Sequence, residues 1–197
     1  MKLNLGCGLD LKDGYVNVDF REIPGTTRVD LSKMPWPWKD NDVDEILMLD
    51  FLEHFPYRKT SSILEEAWRV LKPGMPLIVQ VPSFEECATA MLYDHGMFCN
   101  ACGFEFSPAH LMGNEGVFCG TCHQPIHAVA EAGMKRLYGG QDYDGNWHFC
   151  AFTRNSIQRK LRSSGFSSCE FLEEDHQRKN WNMKVRSLKS GDLWSDE

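Results

Sequence analysis

The sequence predicts an α/β fold built around a mostly parallel sheet, with a zinc-binding module inserted into it. Apolar runs of strand length alternate with a helical pattern over residues 1–83, an order typical of parallel sheets. Residues 166–172 and 181–188 alternate like two strands joined by a charged loop, which predicts an antiparallel strand at one edge. Between these parts, residues 84–146 lose the periodicity and contain two close pairs of cysteines.

Composition and charge narrow the class of protein. The chain has 197 residues, which fits one domain, or one domain with an insertion. Its 42% of hydrophobic residues excludes a disordered chain. Its apolar runs fall far short of the roughly 20 residues that cross a membrane, and residues 1–6 lack the pattern of a secretory signal. We therefore expect a cytoplasmic protein with reduced thiols and no membrane partner. The net charge of −7 argues against a protein that wraps nucleic acid non-specifically.

The first part of the chain predicts four short strands and a glycine turn. Residues 2–5 form an apolar run that stops at Gly6-Cys7-Gly8, so they are expected to be a buried strand entering a tight turn. About seven residues separate this turn from the second strand, 15–20, which is too few for a crossover helix. A very short third strand is predicted at 28–31 and a buried fourth strand at 43–49.

Two helices are predicted from the signals at their ends. Residues 62–65 fit a capping box and begin a helix that residues 72–74 end, ahead of a strand over 76–81. After the insertion, either Thr153 or Asn155 caps a second helix. Helices and strands therefore alternate on both sides of the insertion.

Acidic residues follow three of the predicted strands. Asp19, Asp30 and Asp50 lie at or just beyond strand ends, and the glycine turn ends another strand. Parallel sheets bind ligands in the crevice at the carboxyl ends of their strands, so these groups are expected to share one site. A carboxylate at the end of the second strand can accept hydrogen bonds from a ribose diol. A tight turn and ordinary loop acids are the simpler alternative for each feature taken alone.

In this order, the motifs resemble those of the class I S-adenosylmethionine-dependent methyltransferases. The glycine turn is similar to motif I of that family. The resemblance continues in further segments, which are 14–19, 36–46, 51–54, 69–74, 81–82, 147–149, 152–153 and 161–166. It implies a Rossmann-like methyltransferase core over residues 1–83 and 147–190. The zinc-binding insertion then spans 84–146, and residues 191–197 form a tail.

The resemblance implies S-adenosyl-L-methionine as the cofactor. It also implies eight cofactor-binding residues, which are Gly6, Cys7, Gly8, Asp19, Asp30, Leu31, Asp50 and Phe51. Among them, Asp19 would bind the ribose hydroxyls and the glycine turn would line the methionine moiety. The sequence departs from the family at Asn4, where the family usually has an acid, and in the near absence of the first helix.

The insertion carries the pattern of a structural zinc site. Cys99 and Cys102 form one C-x₂-C pair, Cys119 and Cys122 form another, and 16 residues separate the two pairs. Two such turns can hold a zinc ion between four thiolates. Four unrelated cysteines in a reduced enzyme are the alternative. Because the insertion follows a strand end, we expect it to cover the active site and to help select the substrate.

Two histidines are the candidate catalytic residues. His54 lies four residues after Asp50, and His148 lies where the chain re-enters the predicted core. Either imidazole could remove a proton from a hydroxyl or amine acceptor. Packing or hydrogen bonding within the core is the alternative role for each.

Three functions remain open at this point. The favoured one is methyl transfer to an unidentified small-molecule acceptor. The second is a nucleic-acid methyltransferase whose zinc ribbon binds RNA or DNA. It is less favoured because the sequence lacks the motifs of the amino-methylating and cytosine-C5 DNA enzymes. The third is a non-catalytic binding or zinc-mediated interaction module, against which the intact glycine turn and Asp19 argue.

Overall fold

The computed structural model describes residues 1–92, 97–99, 105–106, 126–143, 145–172 and 181–191. Its strands are β1 (Lys2–Leu5), β2 (Val16–Asp19), β3 (Thr27–Arg28), β4 (Glu45–Leu49), β5 (Pro76–Pro82), β6 (Met97–Cys99), β7 (Glu105–Phe106), β8 (Ile126–Ala128), β9 (Glu170–Leu172) and β10 (Asn182–Leu188). Its helices are α1 (Thr60–Val70), α2 (Phe84–Leu92), α3 (Val129–Tyr138) and α4 (Arg154–Ser163), with a 3₁₀ helix at Leu52–His54. No helix in the described ranges is long and apolar enough to cross a membrane.

The main sheet confirms the predicted fold class. Seven strands lie in the order β3-β2-β1-β4-β5-β10-β9, and the first five along the chain run parallel. β10 runs antiparallel to both of its neighbours, β5 and β9. Leu3 of β1 pairs with Val16 on one side and with Ile46 on the other, so the strand order reverses at β1. Ligands of open α/β sheets bind at such a point of reversal.

The hydrophobic core covers both faces of this sheet. In β1, Leu3 and Leu5 are fully buried and Asn4 between them is only 1% exposed. Neighbouring side chains of a strand point to opposite faces, so elements must pack on both sides. Leu64 of α1 and Leu161 of α4 are fully buried members of this core. The strands are thereby fixed well enough to hold their carboxyl-end loops in place.

Residues 6–15 connect β1 to β2 without a helix, as the sequence predicted. Two asparagine side chains support this connection instead. Asn4 donates from Nδ2 to the Asp10 carbonyl and to Asn17 Oδ1, both at 2.9 Å. Asn17 Oδ1 also accepts from the backbone N–H of Lys12 at 2.9 Å. Asn4 is therefore a structural residue of the loop.

The predicted start of α1 is wrong. The helix begins at Thr60 and no side chain caps it, so residues 62–65 lie inside the helix and form no capping box. Thr60 is fully buried and its Oγ1 donates to the Tyr57 carbonyl at 2.8 Å, which stabilises the earlier start. For α4 the structure selects Thr153, whose Oγ1 accepts from the N–H of Ser156 at 3.0 Å.

The segment predicted to be an insertion, residues 84–146, contains helices that its irregular sequence pattern did not predict. α2 and α3 pack against each other, and between them in the chain β6 pairs antiparallel with both β7 and β8. Cys99 is the last residue of β6. The other predicted zinc ligands, Cys102, Cys119 and Cys122, lie outside the described residues, so the zinc site stays a prediction.

Candidate functional site

A cavity of about 690 Å³ opens beside the loops that follow β1, β2 and β4. Its lining includes all the residues predicted for the cofactor site, namely Gly6, Cys7, Gly8, Asp19, Asp30, Leu31, Asp50 and Phe51. The candidate catalytic residues His54 and His148 line the same cavity. The volume is in the range of small-molecule sites. The structure thus brings together residues as far apart in the chain as Gly6 and His148.

The glycine turn depends on the absence of side chains. Gly6 and Gly8 have φ angles of +64° and +53°, which L-residues with a side chain rarely adopt. A Cβ at Gly6 would lie 2.1 Å from Cδ2 of Phe51, which packs on the turn. The Cys7 N–H donates to the Val18 carbonyl at 3.0 Å and ties the turn to β2. The turn therefore presents bare backbone to the cavity.

Asp19 ends β2 with its carboxylate held in a defined orientation. Oδ2 accepts from the Gly8 N–H at 2.9 Å, and Oδ1 accepts from the Arg21 N–H at 2.9 Å. The guanidinium of Arg21 adds a bond from Nε to Oδ1 at 3.1 Å. Burial alone would raise the pKa of Asp19, but the bonds from Arg21 and Gly8 outweigh it and lower that pKa. The carboxylate is therefore ionised at neutral pH.

Arg21 is a functional candidate that sequence reasoning missed. Its guanidinium contacts Asp19 and also lies 5.4 Å from the ring centroid of Tyr143, a cation–π contact. Tyr143 belongs to the predicted insertion, so the insertion contributes to the wall beside Asp19. No motif marks Arg21, because its role depends on a contact with a residue far along the chain.

Asp50 follows β4 in a strained backbone conformation, with a φ of +50°. Asn182 Nδ2 donates to its Oδ1 at 3.0 Å, and Gln80 Nε2 donates to its Oδ2 at 3.3 Å. These amides come from β10 and β5, so three strands hold this carboxylate in position. Gln80 and Asn182 are further residues that the sequence did not mark.

Asp30 and Leu31 form another part of the wall. Asp30 Oδ1 accepts from Oγ of Ser32 at 2.6 Å, and this bond is the main cause of its lowered pKa. The Leu31 carbonyl accepts from Nε1 of Trp36 at 3.1 Å, which anchors the segment to the core. Leu31 is 4% exposed, so it supplies an apolar floor beside the carboxylate of Asp30.

His54 and His148 lie side by side on the cavity wall. Their ring centroids are 4.8 Å apart and their planes cross at 87°. Nδ1 of His54 contacts the Trp147 carbonyl at 3.1 Å, and Nδ1 of His148 contacts the Arg136 carbonyl at 2.7 Å. Since a carbonyl only accepts, each Nδ1 carries the hydrogen and each Nε2 keeps its lone pair. Burial lowers the pKa of both rings, and the neighbouring His54 helps to lower that of His148 to about 4.

Glu53 lies next to the two imidazoles. It is 0% exposed, and neither carboxyl oxygen has a hydrogen-bond partner among the described residues. Burial, followed by the charge of Asp50, raises the pKa of Glu53 well above its ordinary value. Ligand atoms of Glu53, His54 and His148 all lie within 4.8 Å of one another. The sequence placed only the two histidines here, and no periodic or spacing signal singled out Glu53.

Comparisons with known proteins show which domain family and which folds the chain is similar to. Residues 4–79 match the family described as methyltransferase domain. The fold is similar to that of a SAM-dependent methyltransferase from Archaeoglobus fulgidus, with a TM-score of 0.56 and 10% identity over 95% of this chain and 85% of that one. It is also similar to a SAM-dependent methyltransferase from Methanosarcina mazei, with a TM-score of 0.52 and 17% identity over 97% and 92%.

A third similar structure is a Burkholderia thailandensis 1,6-didemethyltoxoflavin-N1-methyltransferase with bound 1,6-didemethyltoxoflavin and S-adenosylhomocysteine. It has a TM-score of 0.52 and 11% identity, and the match covers 96% of this chain and 70% of that one. At such identities the likeness is one of fold. A comparison with curated proteins finds no significant match. Together, the domain match and the fold confirm the resemblance predicted from the motifs.

Replacing Gly6 by alanine should destabilise the chain by about 3 kcal/mol, because the new Cβ meets the buried Phe51 ring and adopts a positive φ. Gly14→Ala is the matched control: Gly14 has a φ of +78° and nothing within 4 Å of its Cβ position. The control should cost only about 1 kcal/mol. Urea unfolding measures both, and equal losses would contradict the packing role of Gly6.

Proposed function

Because the chain carries the methyltransferase domain and the fold of class I S-adenosylmethionine-dependent methyltransferases, we propose that it methylates a small-molecule acceptor. The domain match and the fold indicate a methyltransferase that uses S-adenosylmethionine; the acceptor class and the residue roles are what we add. The observation that carries the proposal is the meeting of the glycine turn, Asp19 and two imidazoles in one cavity.

The residues of the cavity suit an adenosyl cofactor. The turn at Gly6-Cys7-Gly8 leaves backbone open to close approach, and the ionised Asp19 offers a charged acceptor for a ribose diol. The cofactor supplies a methyl group on a positively charged sulfur. Arg21 now takes lone pairs of Asp19 that the diol would use, so its guanidinium must move aside on binding. Asp30, Leu31, Asp50 and Phe51 would complete the cofactor site.

The acceptor would lie beside the histidines. The cavity that His54 and His148 line is also lined by Phe149, which is 62% exposed, and by Tyr143. Exposed aromatic rings favour an organic acceptor with apolar surface. The Burkholderia structure, whose bound 1,6-didemethyltoxoflavin is a small molecule, supports this class of acceptor. Methyl transfer is an in-line displacement that depends mainly on positioning.

His54 and His148 are the groups that we assign to the acceptor's proton. Each presents an unprotonated Nε2 in a cavity that also holds the proposed cofactor residues. A proton on the acceptor nitrogen or oxygen would pass to one of these atoms as the new bond to carbon forms. An acceptor without such a proton would need only orientation by the two rings.

The insertion is proposed to cover the acceptor and to be held by structural zinc on Cys99, Cys102, Cys119 and Cys122. Support comes from Arg136 and Tyr143, both within residues 84–146, which line the cavity. Four thiolates at this spacing suit a closed zinc site that stabilises a small module. The zinc would then act on acceptor choice through the position of the segment.

Thiol chemistry supports a cytoplasmic location. The four cysteines outside the predicted zinc site, which are Cys7, Cys87, Cys150 and Cys169, are free thiols. Burial raises the pKa of Cys87 to about 11 and that of Cys150 to about 12, so both stay protonated and unreactive. Free thiols of this kind persist in a reducing compartment.

Asp19→Asn should weaken S-adenosylmethionine binding at least about tenfold, because an amide lacks the charge that strengthens bonds to the ribose hydroxyls. Asp13→Asn removes an exposed carboxylate from the same β1–β2 loop, outside the cavity lining, and should leave the affinity unchanged. Calorimetry with the full chain measures both. No binding by the folded wild type would favour the non-catalytic alternative.

Labelled S-adenosylmethionine should transfer its methyl group to a component of a small-molecule pool and not to RNA or DNA. The reason is the volume of the cavity, about 690 Å³, which suits a small molecule, and the net charge of −7, which disfavours phosphate backbones. The three pools are tested in parallel with the wild type. Label in the RNA or DNA pool alone would establish the nucleic-acid alternative.

Cys99→Ser combined with Cys102→Ser should lower the zinc content by about one ion per chain and reduce methyl transfer. Loss of two thiolates opens the predicted site, and the segment bordering the acceptor loses its support. Metal analysis and the methylation assay give the two readouts, with Cys169→Ser as the control cysteine outside the motif. A double variant that folds and methylates normally would contradict the proposed lid.

A further inference from the structure

We infer that Glu53, His54 and His148 form a binding site for one divalent transition-metal ion, separate from the predicted cysteine site. Glu53 and His54 belong to the 3₁₀ helix that follows β4, and His148 lies in the segment that follows α3. The structure brings the three residues together beside the cavity, which the two histidines line. Two imidazoles and one carboxylate are a common ligand set for such ions.

The spacing of the three groups suits a shared ion after a small closure. Their ligand atoms lie within 4.8 Å of one another. Metal–nitrogen and metal–oxygen bonds of about 2.0–2.2 Å would bring such atoms to about 3–3.6 Å from each other. Movements of about 1 Å in side chains therefore complete the site. Neither oxygen of Glu53 is hydrogen-bonded to a described residue, so an ion would displace no existing bond of this carboxylate.

Glu53 is the strongest reason to place a cation here. Neither of its oxygens has a hydrogen-bond partner among the residues that the structure describes, although the side chain is fully buried. An ionised carboxylate in that position is costly, and a protonated one still leaves a hydroxyl donor unpaired. A bound cation satisfies the oxygens and balances the charge together. Arg136 lies close enough to act on the charge of Glu53 but makes no hydrogen bond to it.

The imidazoles are already in the form that binds metal. Nδ1 of His54 and Nδ1 of His148 each face a backbone carbonyl, so each lone pair is on Nε2. Metal-binding histidines commonly use this arrangement, because the carbonyl orients the ring and strengthens the other nitrogen as a ligand. Asp50, although near, is bonded to Asn182 and Gln80 and is not needed as a ligand.

An ion on these three ligands would keep positions open toward the cavity, which His54 and His148 line. If the proposed function holds, an acceptor with a hydroxyl oxygen would bind there. The ion would lower the pKa of that hydroxyl, and its proton would leave to solvent. In this metal-bound form both Nε2 lone pairs would be engaged by the ion, so the ion would take over the activation of the acceptor. The role as proton acceptor that we assign above to the two imidazoles would then apply to the metal-free form.

The test is an anaerobic Co²⁺ titration of the metal-stripped full chain, followed by visible absorption. Cobalt on nitrogen and oxygen ligands lacks the intense thiolate charge-transfer band that a cysteine site produces, so the two sites can be told apart. We expect the wild type to bind one Co²⁺ without thiolate character. Glu53→Gln and His148→Ala should each weaken that binding by about 100-fold or more.

Two control variants accompany the cobalt titration. Glu65→Gln removes an exposed carboxylate of α1 and should bind Co²⁺ as the wild type does. Cys99→Ser with Cys102→Ser should lose any thiolate band and keep the thiolate-free cobalt. Wild type that binds no thiolate-free Co²⁺, or variants of Glu53 and His148 that bind it unchanged, would overturn the inference. Circular dichroism of every variant verifies the fold, and His148→Ala alters only a half-buried residue.

Calorimetry with S-adenosylmethionine on the same samples separates this inference from the proposed function. Cofactor binding by a wild type without thiolate-free cobalt would reject the metal site and leave the methyltransferase proposal standing. Thiolate-free cobalt binding without cofactor binding would support the metal site and reject the methyltransferase proposal. Glu53→Gln should retain cofactor affinity, because Glu53 does not line the cavity.

Discussion

The connection between β1 and β2 is the constraint on which the rest of the site depends. Residues 6–15 must join two parallel strands without the helix that such a crossover normally contains. Side-chain bonds of Asn4 and Asn17 take over the support of this loop, and left-handed glycines make its first turn tight. The short path brings the Gly8 N–H to within 2.9 Å of the Asp19 carboxylate, so the ends of β1 and β2 form one rigid corner.

A second group of contacts extends this rigidity across the sheet. Asp50 after β4 is held by Gln80 of β5 and Asn182 of β10, so its carboxylate cannot turn without breaking bonds to two other strands. Phe51 then packs on Gly6 and connects the residues after β4 to the glycine turn after β1. The polar side chains near the histidines are thereby held at the carboxyl ends of strands, where ligands of α/β sheets bind.

The sequence was sufficient for those parts of the site that follow from strand order. Glycines and acids placed at strand ends by the apolar pattern do line one cavity, because parallel strands bring their carboxyl ends to the same edge. Arg21 and Glu53 could not be predicted, since their roles arise from contacts with Tyr143 and His148, which are remote in the chain. The false capping box at 62–65 has a similar origin: burial of Thr60, a tertiary effect, decides where α1 begins.

The contact of Arg21 with both Asp19 and Tyr143 has a thermodynamic consequence. A ligand that displaces the guanidinium from Asp19 also changes its interaction with Tyr143, a residue of the insertion. The binding of ligands on the two sides of the cavity is then energetically coupled through Arg21. Such coupling is reciprocal, so each ligand changes the affinity for the other by the same factor. The strength with which one ligand changes the affinity for the other is therefore set in part by a single side chain, Arg21.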